Sequence, residues 1–170
     1  MKVSKLKTLV LAVVIAASPA LPAFAGINCV TEVRFSPRGG AEELLVNALS
    51  KATTRVYISI YGLTAPGVVQ ALVAAHQRGV ALYIKADKLQ SAGKSQIEAI
   101  KKLSDAGVVV VVSKKHRQLH NKFAVIDGKV VITGSYNWTA NGNLVNAENV
   151  VQLTCPALAL LYEEEWQKLE

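Results

Sequence analysis

The sequence predicts an α/β fold, specifically a single layered domain in which helices flank a mixed, mostly parallel β-sheet. Three observations predict it. Short segments rich in Val and Ile, typical of strands, alternate with longer segments that have apolar residues at helical spacing. Two of the strand-like segments are joined by Asp127-Gly128, a dipeptide that favours a tight hairpin and hence an antiparallel pair. The 170 residues contain no repeat, low-complexity tract or long linker, as expected for one domain.

The segment before the domain, residues 1–25, has the pattern of a secretory signal peptide. Three lysines give it a positive start, an apolar run follows at residues 9–17, and Ala-Phe-Ala at residues 23–25 has the form of a cleavage site. The apolar run is shorter than the roughly 20 residues that a membrane-spanning helix needs. We therefore expect a domain of residues 26–170 in a periplasmic or secreted protein, with an uncleaved anchor as the alternative.

Export would change the charge and the redox environment of the chain. Residues 1–25 hold three lysines and no acidic residue, so their removal lowers the net charge of +7 by three. A mildly basic domain permits a polyanionic partner such as nucleic acid but does not require one. An oxidising compartment would allow Cys29 and Cys155, the only cysteines, to form a disulfide between the ends of the domain. Two free thiols are the alternative that the sequence leaves open.

The elements follow from the residue spacing in chain order. The predicted strands are residues 33–35, 55–61, 80–85, 108–112, 123–126, 130–133 and 148–153. The predicted helices are residues 41–52, 66–78, 93–106 and 156–169. Pro66 suits the first turn of a helix, and Gly79 and Gly107 suit the position just after the last turn.

Two of these segments carry specific expectations about burial. In the helix at residues 93–106, Ile97, Ile100 and Leu103 have the spacing of a buried face. Residues 108–112 are a continuous apolar run, which predicts a central strand covered on both faces.

Residues 120–137 hold the most informative cluster of polar side chains. His120 and Lys122 stand two positions apart where a strand begins, so their side chains project to the same side. Beyond the return strand, Ser135 and Asn137 share a side by the same rule if the chain stays extended. The hairpin can therefore bring an imidazole, an ammonium, a hydroxyl and an amide to one place.

These residue types suit phosphate chemistry. Lysine and asparagine side chains donate hydrogen bonds to phosphate oxygens, and a histidine beside them can attack phosphorus or move a proton near neutral pH. Asp127 is an odd number of positions from His120 and Lys122, so its side chain would project to the other side of the strand, and it lies at the turn. We therefore expect it to support the turn or nearby basic groups and not to touch substrate. The three histidines have no cysteine or acid at ligand spacing, so a metal site is not expected.

The cluster forms the pattern His-x-Lys-x4-Asp-x6-Gly-Ser-x-Asn, which resembles the HKD signature of the phospholipase D superfamily. The matching residues are His120, Lys122, Asp127, Gly134, Ser135 and Asn137. A small, exported chain with a single copy is similar to the minimal bacterial endonucleases of that superfamily. The resemblance implies a phospholipase D/nuclease-like fold.

The resemblance also implies a mechanism and an assembly. One His120 would attack the phosphodiester to form a phosphohistidine, while a second His120 protonates the leaving oxygen. A chain with one motif would supply the second histidine by forming a homodimer across a two-fold axis. Lys122 and Asn137 would hold the non-bridging oxygens, and Ser135 would add a hydrogen bond. Glu148 would orient the imidazole, with an ordinary strand-end carboxylate as the alternative. No cofactor and no divalent ion is implied.

The function we expect is that of a metal-independent, non-specific DNA endonuclease, with RNA as a further substrate. The chain is basic and has no evident amphipathic helix for docking on lipid. A phospholipase D-like lipid hydrolase is the first alternative, and an inactive dimer that binds phosphate or DNA is the second. The basic residues 114–117, just before His120, could line the path of a polyanion or simply face solvent.

Overall fold

The computed structural model describes residues 29–169, so the predicted signal peptide lies outside the described residues. Seven strands form one sheet in the order β1-β7-β6-β5-β2-β3-β4. The strands are β1 (Val30–Ser36), β2 (Arg55–Ile60), β3 (Ala81–Asp87), β4 (Val110–Ser113), β5 (Lys122–Ile126), β6 (Val130–Gly134) and β7 (Glu148–Thr154). The helices are α1 (Ala41–Ser50), α2 (Pro66–Gln77), α3 (Lys94–Asp105), α4 (Ala140–Leu144) and α5 (Pro156–Lys168), with a 3₁₀ helix at Gln90–Ala92. None of the helices within residues 29–169 is long and apolar enough to cross a membrane.

The single domain with a mixed sheet flanked by helices is confirmed, but parallel pairs are fewer than predicted. Only β2 with β3 and β3 with β4 are parallel, whereas the other four pairings are antiparallel. The crossovers through α2 and α3 produce the two parallel pairs. The crossover through α1 does not place β1 beside β2, because β1 lies at the far edge and pairs with β7.

The sheet separates two apolar layers. Helices α1, α2 and α3 cover one face, where Ile58 and Ile60 of β2 are fully buried. Helix α5 covers the other face, where Phe123 and Val125 of β5 pack. The Phe123 ring meets the edge of the Tyr162 ring with centroids 5.0 Å apart. Both faces of β5 are buried, so a one-residue shift of its register would put the side chains of each face into the layer packed for the other, and the start of the hairpin is therefore fixed.

Two expectations about burial are wrong. Strand β4 lies at the edge of the sheet, and Val109 and Val111 are 72% and 42% exposed. A short apolar run does not distinguish a strand covered on both faces from an edge strand with one open face. In α3, Ile97 is 52% exposed, and the neighbouring Gln96 is buried instead. Burial of the Gln96 side chain is tolerated because its Oε1 accepts a hydrogen bond from the Leu63 N–H at 2.8 Å.

Cys29 and Cys155 form a disulfide in this structure, which is one of the two alternatives left open by the sequence. The bond joins the residue before β1 to the residue before α5, across a sequence separation of 126. Closing a loop of that length removes entropy from the unfolded chain, which stabilises the fold by roughly 3–5 kcal/mol.

Candidate active site

The hairpin places the HKD-like residues, all except Asp127, at one end of the sheet. Strand β5 begins at Lys122, which pairs with Ile60 at the end of β2. Strand β6 ends at Gly134, directly before Ser135, and β7 begins at Glu148. In an antiparallel pair one strand ends where its neighbour begins. The ends of β2 and β6 and the starts of β5 and β7 therefore lie side by side, and the polar residues next to them lie close together.

His120 and Lys122 form the centre of this end. The imidazole is exposed, and the Lys122 side chain is half-buried. Lys122 Nζ donates to the His120 carbonyl oxygen at 2.7 Å and lies 3.1 Å from His120 Nδ1. An ammonium group only donates, so Nδ1 is the acceptor in this contact. Lys122 thus approaches the Nδ1 side of the ring, and Nε2 is the nitrogen that is left for a phosphate.

The surroundings of Lys122 hold the pKa of its ammonium group below the usual value. Partial burial is the larger effect, while the carboxylates of Glu148 and Asp87 act in the opposite direction and raise the pKa. A partly desolvated ammonium attracts a phosphate oxygen more strongly than one in bulk water does. The two carboxylates favour the charged form that such attraction needs.

Tyr61, which the sequence did not indicate, packs against both groups. Its ring centroid lies 4.4 Å from that of His120, and Lys122 Nζ lies 5.0 Å from the Tyr61 centroid. The Tyr61 hydroxyl accepts a hydrogen bond from Gln90 Nε2 at 2.9 Å, which fixes the ring. The tyrosine therefore limits where the imidazole can lie. Its position at the end of a buried strand is the signal that the sequence offers, and this signal does not show which residues lie beside it.

Asp87 was also missed, and it fixes the chain just before His120. This fully buried carboxylate ends β3 and accepts a hydrogen bond from the Leu119 N–H at 2.7 Å. It also accepts from the N–H groups of Leu89 and Gln90, both at 2.9 Å. A buried carboxylate is stable only with such donors, so the position of Leu119, and with it His120, is tied to the sheet.

Beyond β6 the side chains alternate between the core and the site. Tyr136 and Trp138 are each 1% exposed and anchor this segment in the core. Ser135 is exposed, and its Oγ accepts from the Asn149 N–H at 3.1 Å and from Asn149 Nδ2 at 3.4 Å. Asn137 is half-buried, and its Oδ1 has no hydrogen-bond partner among residues 29–169. The two polar side chains therefore share the side that the buried rings leave free.

Glu148 lies at the same end of the sheet and makes a different contact from the one predicted. Its Oε1 accepts a hydrogen bond from Asn146 Nδ2 at 3.1 Å. The polar contact of the His120 ring is with Lys122 instead. An orienting role for Glu148 stays a prediction, for a state in which the imidazole turns an Nδ1–H toward this carboxylate.

Asp127 lies at the opposite end of the hairpin from His120. It takes a left-handed backbone conformation with φ of 54°, followed by Gly128 at 65°, as a tight hairpin turn requires. Its carboxylate accepts from the N–H groups of Thr53, Thr54 and Arg55 at 3.0, 2.8 and 3.1 Å, and from both threonine hydroxyls at 2.8 Å. Partial burial alone would raise the pKa of Asp127, but these bonds outweigh it and hold the pKa well below its usual range.

Two depressions adjoin the site. The first, which we call the apolar pocket, has a volume of about 420 Å³. Its walls include His120, Lys122 and Gly134 on the sheet and Leu158, Leu161 and Tyr162 on α5. The second, which we call the polar groove, has a volume of about 410 Å³. Its walls include Tyr61, Gln90, Ser95, Asn137, Thr139 and Asn141.

The basic loop, residues 114–117, is exposed and leads through Leu119 to His120. Within it, Lys115 Nζ donates to the Lys168 carbonyl oxygen at the end of α5, at 2.7 Å. Within residues 29–169, no group of three or more His, Cys, Asp and Glu side chains is placed to hold a metal ion.

The sequence is similar to proteins of one family. A family model described as cardiolipin synthase, PLD-like domain, matches residues 45–169. A phospholipase D of Rickettsia conorii is 35% identical over 132 residues, which are 78% of this chain and 65% of that protein. A mitochondrial cardiolipin hydrolase of Chlamydomonas reinhardtii is 32% identical over 121 residues, which are 71% of this chain and 53% of that protein. The chain thus spans less than two thirds of the length of both relatives.

The fold is similar to that of a solved member of the same family. The crystal structure of Nuc, a phospholipase D family member from Salmonella typhimurium, matches with a TM-score of 0.81 at 32% identity. The match covers 84% of this chain and 94% of Nuc. Because the family model spans most of the chain and includes every HKD-like residue at this end of the sheet, the chain belongs to the phospholipase D superfamily.

Proposed function

We propose that the chain is a phosphodiesterase that cleaves the backbone of DNA, with RNA as a further substrate, without sequence preference. The observation that carries the proposal is the exposed His120 imidazole, held against Tyr61 and beside the Lys122 ammonium. A phosphate brought to this imidazole would meet a nucleophile and a cation together. The resemblance to small single-motif endonucleases supports nucleic acid as the substrate, and so does the exposed basic loop.

The reaction would proceed in two displacements. In the first, an imidazole Nε2 bonds to phosphorus, the bond from phosphorus to the leaving oxygen breaks, and a second His120 gives that oxygen a proton. In the second, this second imidazole takes a proton from water while the water oxygen attacks phosphorus and releases the first imidazole. Lys122 and Asn137 would hold the non-bridging oxygens, with a hydrogen bond from Ser135.

The two imidazoles need different protonation states. The proton donor is an imidazolium, which gives up its Nε2 proton and is left neutral, ready to accept a proton from water in the second displacement. The attacking ring is neutral and carries its proton on Nδ1, which leaves the Nε2 electron pair for phosphorus. Both rings then carry a proton on Nδ1, so Lys122 has to leave that nitrogen. Glu148 is the acceptor that we propose for the Nδ1–H, because its carboxylate lies close enough to act on Lys122.

The second histidine would come from a second copy of the chain. The sequence holds one HKD-like motif, so a homodimer with facing motifs would complete the site. Lysine and asparagine side chains would stabilise the phosphoryl group, so we expect no need for a divalent ion. The signal-peptide pattern of residues 1–25 supports a periplasmic or secreted location.

The test incubates the purified protein with supercoiled plasmid in excess EDTA and follows nicked and linear products. Wild type should cleave, and His120→Asn should lose at least about a thousandfold in rate, because Asn cannot form the phosphoenzyme. His76→Asn is the matched control, since His76 lies near the end of α2 and lines neither of the two depressions at the site, and it should cleave like wild type. Full activity of His120→Asn would contradict the mechanism. Salt-sensitive binding of DNA without cleavage by wild type would indicate an inactive binding dimer.

The apolar pocket favours a second candidate, the hydrolysis of a phospholipid. Leu158, Leu161 and Tyr162 form an apolar wall beside His120, which could receive part of an acyl chain. The relatives named phospholipase D and cardiolipin hydrolase are consistent with that substrate class. Parallel assays on plasmid and on liposomes of phosphatidylglycerol or cardiolipin would decide. Faster turnover of lipid than of DNA would favour the lipid hydrolase.

A further inference from the structure

We propose that the polar groove binds a nucleobase of the substrate strand, next to the phosphate that His120 attacks. The inference rests on the proposed phosphodiesterase function and adds a subsite to it. It also explains why a nucleic acid would be preferred over other phosphodiesters.

The groove is adjacent to the reacting atoms because the two sites share a wall. Tyr61 lines the groove, and its ring centroid lies 4.4 Å from that of His120. Asn137, the last residue of the HKD-like pattern, also lines the groove. A group in the groove is therefore separated from a phosphate at His120 by about one side chain, which matches the short span between a base and its own phosphate.

The chemistry of the groove fits an uncharged ligand that both donates and accepts hydrogen bonds. None of the residues that line it is charged, so it offers nothing to neutralise a second phosphate. Three amide side chains face it, those of Gln90, Asn137 and Asn141. Amides pair with the mixed donor and acceptor edges of bases. An acyl chain would pack better against the apolar pocket, which lies on the other side of the site.

Two of these amides have hydrogen-bonding capacity to spare. Asn137 Oδ1 is buried and has no partner among residues 29–169, although a buried carbonyl oxygen ordinarily has one. Asn141 is exposed and lines the groove, so its side-chain amide is open to a ligand there. A bound base would pair with both side chains.

The walls of the groove are held in place without a ligand. The Thr64 and Ala65 N–H groups both donate to the Trp138 carbonyl oxygen at 2.8 Å, which joins the segment after β2 to the segment after β6. Thr139 Oγ1 accepts from the Gly142 N–H at 3.0 Å and caps α4. The site is therefore formed in advance, as binding sites for small groups usually are.

The test compares Asn141→Ala with Asn143→Ala in the purified protein. Asn143 is the matched control because it lies on the same helix and does not line the groove. The substrates are thymidine 3′- and 5′-(4-nitrophenyl phosphate) and the same esters of abasic 1,2-dideoxyribose. Each pair has the same phosphate and leaving group and differs only in the base.

For the 3′-esters, the 5′-esters or both, wild type should hydrolyse the thymidine ester with a higher kcat/KM than the abasic ester. Asn141→Ala should lower the ratio of kcat/KM for the thymidine ester to that for the abasic ester about fivefold, as expected for one lost hydrogen bond. Asn143→Ala should leave the ratio unchanged. An equal kcat/KM for both esters in wild type, or a ratio that Asn141→Ala does not change, would overturn the subsite.

The outcomes separate the subsite from the proposed function. Hydrolysis of all esters and of plasmid without discrimination would overturn the subsite alone. No hydrolysis of any ester or of plasmid by wild type would overturn the proposed function and the subsite with it. If Asn141→Ala slowed phosphatidylglycerol turnover and spared the thymidine esters, the groove would hold a polyol headgroup, and the nucleobase assignment would fall.

Discussion

At the scale of single residues, Asp127 belongs to the HKD-like pattern yet its contacts are with the fold. Its carboxylate accepts five hydrogen bonds, four from the two threonines before β2 and one from the first residue of β2, at the end of the hairpin far from His120. Strands β2 and β5 are neighbours, so these bonds fix the register of the strand that begins at Lys122. We infer that the residue stabilises the hairpin that carries the reactive groups.

Replacing Asp127 by Asn should lower the free energy of unfolding by about 2 kcal/mol, because an amide NH₂ cannot accept the bonds that one carboxylate oxygen now accepts. Urea unfolding at neutral pH measures the change. Asp105→Asn is the matched control, since Asp105 is an exposed carboxylate paired with Lys101, and it should cost less than about 0.5 kcal/mol.

The same pair of proteins should differ in how their stability depends on pH. The pKa of Asp127 is lower in the folded state than in the unfolded chain, so the folded state binds fewer protons. The stabilisation is therefore present above about pH 4, the ordinary aspartate pKa, and is lost as the pH falls below it. The stability gap between wild type and Asp127→Asn should narrow from about pH 5 to pH 2. A gap that stays constant would contradict this assignment.

At the scale of elements, the basic loop is a short segment with a defined anchor. The buried carboxylate of Asp87 holds Leu119, two residues after the loop and directly before His120, so the backbone ties the loop to the site. If the loop only faces solvent, substitution of its basic residues should not affect DNA binding more than the same loss of charge elsewhere.

Replacing Lys114 and Arg117 by Ala should weaken DNA binding and reduce the steepness of its salt dependence by roughly one unit of slope per lost phosphate contact. Fluorescence anisotropy at several salt concentrations measures both. Lys51→Ala with Lys129→Ala is the control, because these exposed lysines lie at the other end of the sheet, near Asp127. Equal losses in both double variants would assign the effect to net charge alone.

The elements that depend on local sequence were predicted well, and their arrangement was not. The hairpin of β5 and β6 follows from an apolar strand and Asp127-Gly128, and it brings His120 and Lys122 together as predicted. The position of β4 at the edge, and of β1 beside β7, depends on pairings between distant segments that spacing does not encode. Tyr61 was missed for the same reason, since only the pairing of β2 with β5 brings it to His120.

At the scale of the whole molecule, the single motif makes the proposed activity depend on two subunits. If each site uses His120 from both chains, a mixed dimer of wild type and His120→Asn lacks one imidazole and should be inactive. Coexpression at equal amounts should then leave about a quarter of the wild-type activity, because only pure wild-type dimers work. Independent sites would leave about half. Plasmid cleavage by dimers of verified size, measured over several mixing ratios, distinguishes the two.

The disulfide between Cys29 and Cys155 has a mechanical consequence for the domain. Tension applied between residue 29 and the end of α5 passes through the sulfur–sulfur bond and then along α5. Residues 30–154, which contain all seven strands, therefore lie outside the covalent path of the force and are loaded only through their contacts with α5. Under such a force α5 would detach first and take with it Leu158, Leu161 and Tyr162, the wall of the apolar pocket. The sheet would then be free of the force, and His120 and Lys122 would keep their places at its end, with one side of the site opened.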